Sequence, residues 1–216
     1  MLHRDVRSFA NIDDPTALQR LLELLAARTG SLSNLSELSR SLSIANSTLR
    51  RYVDLLEATF LVHRLRPWSS NLGKRLVKSP KTYLIDTGLV ASLIGRPGAS
   101  DLSLAAYRGA LLENFAVVEI AKQLAWSDTA AGMYHYRTHD SKEVDVVLEA
   151  PDARIVGIEV KAGEAVRDGD FDGLRHLRSA VGGRFVRGVV LYTGTESLAF
   201  DDDLIAAPIA SIWRRS

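Results

Sequence analysis

The sequence contains no cysteine among its 216 residues. This absence excludes a disulfide framework and thiolate metal sites, and it is typical of a reducing compartment, so we expect a cytoplasmic protein. No apolar run approaches the roughly 18 residues of a membrane-spanning helix. The start of the sequence, Met1 to Asp5, lacks the apolar segment of a signal peptide. We therefore expect a globular protein with no membrane partner.

The net charge of +1 is unevenly distributed along the chain. Residues 1–100 carry 14 Lys and Arg against 8 Asp and Glu, a net charge of +6, whereas residues 101–216 carry 13 against 18, a net charge of −5. Such an asymmetry predicts two modules with different partners. The basic half is the better candidate for contact with phosphate, and the acidic half for holding a cation.

Two short runs rich in β-branched residues, 143–149 and 155–161, predict a β-hairpin that turns near Pro151. Because side chains alternate along a strand, Glu143, Asp145 and Val147 are expected on one face. Glu159 and Lys161 are likewise expected to share a face of the return strand. Asp145 would then lie opposite Glu159 or one position away.

Two carboxylates facing each other across a strand pair destabilise it, and a divalent cation such as Mg²⁺ or Mn²⁺ would remove that repulsion. The alternative is an ordinary amphipathic hairpin with solvent-facing charges. The spacing D-(13 residues)-E-V-K favours the metal, because it matches the PD-(D/E)XK nuclease-like hairpin. Asp145, Glu159 and Lys161 occupy its three motif positions.

A long helix is predicted over residues 104–126, apolar on more than one side and therefore packed between layers. Glu113 lies among its apolar residues. A carboxylate there is unusual unless it is paired or binds metal. Glu113 thus joins Asp145 and Glu159 as a candidate metal ligand, although a position at the edge of the packing is the alternative.

The basic half begins with a predicted helix that Asp14 caps, with Pro15 at its first position and Gly30 at its C-cap. Two short helices follow, over residues 35–42 and about 47–58, and together they predict a helix-turn-helix. The second is the candidate recognition helix. Its candidate nucleic-acid contacts are Ser47, Thr48, Arg50 and Arg51.

Strands are predicted next over residues 60–65 and 81–86, and a long loop that carries Lys74, Arg75 and Lys78 joins them. A helix-turn-helix followed by a two-stranded hairpin is a winged helix, with this basic loop as its wing. We expect DNA contact here, because the charge excess lies where phosphates would bind. Winged helices also dock proteins, and arginines on a helix are often only a solvated face.

The clearest linker is the stretch from Gly95 to Ser100, which divides the chain into a winged-helix domain, 1–97, and a second domain, 98–216. Beyond the organising hairpin, a helix is predicted over about 171–180 and a central strand over 186–193. Residues 204–213 are expected to add an edge strand. The fold class is therefore α/β: a mostly helical N-terminal part followed by an α/β sandwich with a mixed sheet.

Taken together, several short motifs resemble the C-terminal domain of unknown function in prokaryotic AAA-family ATPases, over roughly residues 3–213. The motifs are Asp5-Val6, Leu24-Leu25-Ala26-Ala27-Arg28-Thr29-Gly30, Leu55-Leu56-Glu57-Ala58-Thr59, Lys78-Ser79-Pro80-Lys81, Leu84-Ile85-Asp86-Thr87-Gly88-Leu89, Gly109-Ala110-Leu111-Leu112-Glu113-Asn114-Phe115, Tyr136-Arg137-Thr138, Glu143-Val144-Asp145 and Ile158-Glu159-Val160-Lys161. The resemblance implies a PD-(D/E)XK-like fold for residues 100–216, with Glu113, Asp145, Glu159 and Lys161 at its site positions.

In that family a P-loop ATPase normally precedes this region. The sequence has no G-x-x-x-x-G-K-[ST] motif, so the AAA-type ATPase domain is expected to be absent from this chain. We expect neither tight ATP binding nor ATP hydrolysis.

The first functional hypothesis is a metal-dependent nuclease guided to DNA by the winged helix. Asp145 and Glu159, helped by Glu113 and the Val160 carbonyl, would hold Mg²⁺ or Mn²⁺ to polarise the phosphodiester and activate water. Lys161 would orient that water or neutralise developing charge. The alternatives are a catalytically silent module that binds nucleic acid or docks a protein, and a pure interaction domain of an ATPase assembly.

Overall fold

The computed structural model describes residues 14–70, 79–95 and 104–213. The predicted wing residues Lys74, Arg75 and Lys78 lie outside the described residues. So does most of the predicted linker, 96–100, together with the expected domain boundary.

The first helix, α1, runs over Pro15–Ala27 and is capped as predicted, since the Asp14 carboxylate accepts hydrogen bonds from the backbone N–H groups of Thr16 and Ala17. The predicted C-cap at Gly30 is wrong, because the helix ends earlier with Arg28 as its cap. Gly30 has a φ of +75° and donates its N–H to the Thr82 carbonyl at 2.9 Å. Gly30 therefore does not cap the helix. It begins a segment that hydrogen-bonds to the strand containing Thr82.

The expected pair of short helices is present, as α2 over Leu35–Leu42 and α3 over Asn46–Ala58. An antiparallel pair of strands follows, β1 over Val62–Leu65 and β2 over Lys81–Leu84. Both strands are shorter than predicted; β1 starts after Phe60, whose φ of 56° lies outside the β region.

A further helix, α4 over Thr87–Ile94, was not predicted. The Asp86 carboxylate caps it by accepting the N–H of Leu89. The helices of the N-terminal half share one apolar core, whose buried residues include Leu21, Leu49, Tyr52 and Leu84.

The long helix α5 runs over Arg108–Trp126, after a 3-10 turn at Leu104–Tyr107. Six strands form the second sheet, in the order β3-β4-β5-β6-β8-β7. Their bounds are β3 Gly132–Arg137, β4 Glu143–Glu149, β5 Ile155–Lys161, β6 Phe185–Tyr192, β7 Leu198–Ala199 and β8 Leu204–Pro208. Helix α6, over Asp172–Val181, precedes β6. The expected α/β class with a mixed sheet is confirmed.

Within the sheet, β6 is parallel to both β5 and β8, and the remaining pairs are antiparallel. The predicted central position of the 186–193 strand is confirmed. The predicted edge position of the last strand is wrong, because β7 doubles back to pair with β8 and takes the edge itself.

The two faces of the sheet carry different helices. On one face, Val117 and Ile120 of α5 pack with Val146 and Ile158. On the other face, Leu174 and Leu177 of α6 pack with Val144, Val147 and Val190. Gly173 allows α6 to approach β4 closely, since a Cβ there would lie 1.9 Å from the Glu143 carbonyl oxygen.

The β1–β2 pair is attached to this second half by its backbone and by its side chains. Just after β1, the backbone N–H of Trp68 donates to the His135 carbonyl at 2.6 Å, and the backbone N–H of His135 donates to the Arg66 carbonyl at 2.9 Å. Leu65 and Tyr83 are buried in the same apolar cluster as α5. Within the described ranges, no helix is long and apolar enough to cross a bilayer.

Candidate functional site: a lysine among carboxylates

A β-bulge in β4 sets the direction of the Asp145 side chain. The pairing of β4 with β3 shifts register between Tyr134 and Tyr136, so that Asp145 and Val146 together face one residue of β3. Val144 and Val147 consequently pack on the same face, against α6. Of the three residues expected on one face, Glu143 and Asp145 both reach Lys81, whereas Val147 packs on the opposite face against α6.

Lys81 of β2 occupies the centre of a carboxylate cluster on the α5 side of the sheet. Its ammonium lies 2.9 Å from Glu113 Oε1, 3.1 Å from Asp145 Oδ1 and 2.5 Å from Glu143 Oε1. The lysine side chain is only 3% exposed. We call these four residues, Lys81, Glu113, Glu143 and Asp145, the lysine cluster.

Two of the three carboxylates around Lys81 are themselves held in place by further hydrogen bonds. Asp145 Oδ2 accepts the backbone N–H of Val160 at 3.0 Å, just beyond the last paired residues of β4 and β5, Val146 and Ile158. Glu113 Oε1 accepts the Tyr83 hydroxyl at 2.7 Å. Gly30 lies against this carboxylate, because a Cβ at that position would be 3.1 Å from Glu113 Oε1.

Asn114, the residue after Glu113, fixes α5 to the first half. It is fully buried, and its Oδ1 accepts from the Thr29 hydroxyl at 2.6 Å and the Leu84 N–H at 3.1 Å. Its Nδ2 donates to the Leu84 carbonyl and the Thr87 hydroxyl, both at 2.9 Å. This amide therefore sets the position from which Glu113 reaches Lys81.

Glu159 and Lys161 lie on the opposite face from the lysine cluster. Their neighbours Ile158 and Val160 pack on the α5 side, so alternation turns Glu159 and Lys161 toward α6. Lys161 Nζ lies 2.9 Å from Glu159 Oε1. Among the described residues, the buried Glu159 Oε2 has no hydrogen-bond donor.

The electrostatics of the lysine cluster favour a protonated lysine and an acidic surplus. Burial alone would lower the pKa of Lys81, but Asp145, Glu113 and Glu143 together raise it above its ordinary value. Burial, followed by repulsion from Asp145, raises the pKa of Glu113 to about 7 even though Lys81 opposes the shift. Burial opposes a decrease at Glu143, yet Lys81 holds the pKa of that carboxyl below its ordinary value.

Two further buried groups near the cluster have displaced pKa values. Burial, followed by repulsion from Asp145, raises the pKa of Glu159 to about 8 against the pull of Lys161. His135, only 2% exposed, has its pKa lowered to about 4 by burial and then by the positive charge of Lys81. His135 is therefore a neutral residue that ties β3 to the β1–β2 pair.

The arrangement does not fit Mg²⁺ or Mn²⁺ while Lys81 is in place. Its ammonium takes the position between Glu113 and Asp145, and Asp145 and Glu159 approach from different sides of the sheet. No group of three or more Asp, Glu, His or Cys residues with metal-holding geometry occurs in the part of the chain that the structure describes. Lys81 supplies the positive charge that the sequence led us to expect from a cation.

The described candidate nucleic-acid residues all lie on α3. Ser47, Arg50 and Arg51 are exposed and Thr48 is half-buried. The Arg51 guanidinium lies 5.7 Å from the centre of the Tyr52 ring, whereas Arg50 lines a groove. Lys74, Arg75 and Lys78 lie outside the described residues.

That groove, of about 750 Å³, lies between α3, β1 and the segment 79–82, and we call it the arginine groove. Arg50, Arg64 and Arg66 line it above a floor that includes Leu35 and Leu38. Arg64 is neutralised by ion pairs with Asp54 and Glu57. Within the described residues, Arg50 and Arg66 have no ion-pair partner.

Sequence reasoning did not identify Lys81, Tyr83, Glu143 or Asn114 as site residues. Lys81 and Tyr83 alternate in one strand, and Glu143 and Asp145 alternate in another, which places each pair on one face. The alternation within each strand can be predicted from the sequence. The contact between the two strands cannot, because it joins Lys81 to Asp145, 64 positions apart in the chain.

Two families of unknown function match the chain in succession. Residues 1–100 match a domain of unknown function, DUF8612, and residues 108–212 match another, DUF4143. An uncharacterised protein of Mycobacterium tuberculosis (strain ATCC 25618 / H37Rv) is 32% identical over 212 residues, which are 98% of this chain and 46% of that protein. An uncharacterised protein of Mycobacterium bovis matches equally well.

An uncharacterised protein of Haemophilus influenzae is 26% identical over 179 residues, covering 81% of this chain and 41% of its own length. The chain thus spans less than half the length of these relatives. It is also similar to the crystal structure of protein VC1899 from Vibrio cholerae, with a TM-score of 0.36 and 18% identity over 92% of this chain and 54% of that one. At this level the structural likeness adds nothing to the fold described above.

Proposed function

We propose that this chain is a nucleic-acid-binding module of an AAA-type ATPase assembly. Its first half would act as a winged helix, and its second half as a PD-(D/E)XK-like domain whose nuclease-type site is catalytically silent. The single observation that carries the binding role is the arginine groove, where Arg50 and Arg66 are charged, exposed and unneutralised by any described carboxylate.

The secondary structure supports the winged-helix assignment. Helices α2 and α3 follow each other across a short turn, and the antiparallel β1–β2 pair comes directly after them. In such a module the second helix approaches the nucleic acid and the hairpin contacts it alongside. Arg50 on α3 and Arg66 after β1 line one groove, so both elements can contact the same phosphate backbone.

The nuclease-like assignment of the second half is supported by the order of its elements. A long helix, α5, precedes the β4–β5 hairpin, and Asp145, Glu159 and Lys161 stand at the motif positions of that hairpin. The silent character is supported by the opposite orientation of Asp145 and Glu159 and by the presence of Lys81 beside Asp145.

Two observations support an association with an ATPase. The motifs quoted above resemble a region that follows AAA-family ATPase domains. The matched relatives are more than twice as long as the region they share with this chain, which leaves room in them for a further domain.

A binding titration tests the proposal with the whole chain. We expect fluorescence anisotropy with a labelled DNA duplex to show affinity that falls steeply with salt, because phosphate contacts release counterions. Arg50→Gln together with Arg66→Gln should weaken binding about tenfold or more and reduce the salt slope by about 2. The control is Arg154→Gln, an exposed arginine that pairs with Asp152 in the β4–β5 turn.

Three results would contradict parts of the proposal. Equal loss in the Arg154 control would remove the arginine groove as the binding surface. Absence of binding to DNA and RNA at low salt would leave protein docking as the function. Cleavage of plasmid DNA by the wild-type chain with Mg²⁺ or Mn²⁺ would show that the site is an active nuclease.

A further inference from the structure

We propose that Lys81 is a built-in cation that has taken the place of a metal ion, so that Lys81 and a divalent cation compete for the same carboxylate oxygens. This inference rests on the nuclease-like assignment of the second half and is independent of nucleic-acid binding. It identifies Lys81 as the residue that decides which cation the lysine cluster holds.

The hydrogen-bonding capacity of the ammonium matches its surroundings. A lysine ammonium has three donors and no acceptor. Three carboxylates, Glu113, Glu143 and Asp145, each offer it one oxygen at 2.5–3.1 Å. These separations are those of charge-assisted hydrogen bonds, and every donor of Lys81 is used.

The ammonium is tethered by the strand that carries it. Thr82, the residue after Lys81, is fixed to the segment Gly30-Ser31 by two backbone hydrogen bonds. Its N–H donates to the Ser31 carbonyl, and its carbonyl accepts the Gly30 N–H. With its side chain 3% exposed, Lys81 is shielded from solvent, although the Glu113 and Glu143 side chains around it are 20% and 29% exposed. A dissolved ion must therefore displace the ammonium, or bind a protein in which the lysine charge is missing.

The charges around the position explain why a cation is required at all. Without Lys81, three carboxylates from α5 and β4 would converge, and among the described residues only Glu143 would keep an ion-pair partner, Arg137 at 3.3 Å. Carboxylate oxygens are the ligands that Mg²⁺ and Mn²⁺ select. These three side chains do not have metal-holding geometry with Lys81 in place, and removal of the ammonium would let them draw together around one ion. The lysine thus substitutes one fixed charge for an exchangeable ion.

The test is the variant Lys81→Gln, which keeps a long polar side chain and removes the charge. The control is Lys142→Gln, because Lys142 also pairs with a carboxylate, Asp172 at 3.2 Å, but lies in a more exposed position. Mn²⁺ binding is measured by calorimetry and by the shift in melting temperature. An ion that binds only the native state raises that temperature by mass action.

We expect wild-type protein and Lys142→Gln to show no Mn²⁺-dependent rise in melting temperature. Lys81→Gln should show a rise that grows with Mn²⁺ concentration, and an affinity about tenfold or more above that of the wild type. Adding Asp145→Asn to Lys81→Gln should remove the gain, because one ligand is lost.

Two outcomes would overturn the inference. One is a wild-type protein that binds Mn²⁺ as tightly as Lys81→Gln. The other is a Lys81→Gln protein that gains no binding. If that variant is unfolded in metal-free buffer, Mn²⁺ must restore its circular dichroism, and failure to do so counts against the inference equally. Loss of DNA binding in the arginine-groove variants has no bearing on either result.

Discussion

Lys81 Nζ lies 3.1 Å from Asp145 Oδ1, so a strand of the first half supplies the counter-charge for a strand of the second. The pair is buried, and Glu113 and Glu143 share the same ammonium. Breaking a buried pair by removing one partner leaves an uncompensated charge in a poorly solvated place. The consequences of that arrangement can be measured.

Lys81→Met should lower the free energy of unfolding by about 3–5 kcal/mol, because three carboxylates lose their common partner. Urea unfolding followed by circular dichroism gives the value. Lys142→Met, which breaks the exposed pair with Asp172, should change stability by less than about 1 kcal/mol. Equal effects of the two substitutions would show that Lys81 is not the central charge of the cluster.

Asn114→Ala should destabilise the protein by about 2–4 kcal/mol, since it leaves the buried Leu84 N–H and C=O without their side-chain partner. Gln123→Ala is the control: the Gln123 amide donates one hydrogen bond, to the Ile212 carbonyl, in a partly buried position. It should destabilise by about 1 kcal/mol or less. Thermal or urea denaturation distinguishes the two, and an unchanged Asn114→Ala protein would contradict the anchoring role of this amide.

His135 should make stability depend on pH. Its folded-state pKa of about 4 lies below the ordinary value of 6.5, so the unfolded chain binds this proton more readily. Stability from this residue is therefore full above pH 6.5 and is lost as the pH falls toward 4. The loss is roughly 3 kcal/mol by pH 4, because the two pKa values, 6.5 and about 4, differ by about 2.5 units and each unit corresponds to about 1.4 kcal/mol.

His135→Gln should flatten that part of the stability profile, measured as the free energy of unfolding at a series of pH values between those limits. The exposed His139→Gln variant should retain the wild-type profile. If both variants keep the same slope, acid sensitivity arises from other groups.

Gly173→Ala should destabilise the protein by about 1–3 kcal/mol or more, because an added Cβ would lie 1.9 Å from the Glu143 carbonyl oxygen and would push α6 away from β4. Gly169→Ala is a matched control a few residues earlier, where an added Cβ has no neighbour within 4 Å. Its unfolding midpoint in urea should stay close to that of the wild type. A tolerated Gly173→Ala would mean that α6 can shift without loss.

The elements that sequence predicted well are those specified by local information. The β4–β5 hairpin has alternating β-branched residues and a turn at Pro151, and the Asp14 cap precedes a proline at the first helical position. The β-bulge at Asp145 was not predictable, because it depends on pairing with β3. It changes which residues share a face, and it thereby separates Asp145 from Glu159.

The site was only partly predictable for a similar reason. Glu113 was identified because a carboxylate on an apolar helix needs a partner. The partner itself, Lys81, is supplied by a strand that is distant in sequence. Helix α4 was missed because its residues, Thr87–Ile94, are too few and too uniformly apolar to show a helical period.

The attachment of the β1–β2 pair to both halves has a consequence for how the chain can be divided. A cut between residues 100 and 108 falls between the two matched family regions, yet it separates Lys81 from Glu113, Glu143 and Asp145. The downstream piece would keep the three carboxylates without the Lys81 ammonium. The upstream piece would expose Tyr83 and Leu65, which are buried against α5 in the whole chain. We therefore expect that the boundary between the two matched regions is not a boundary of cooperative folding.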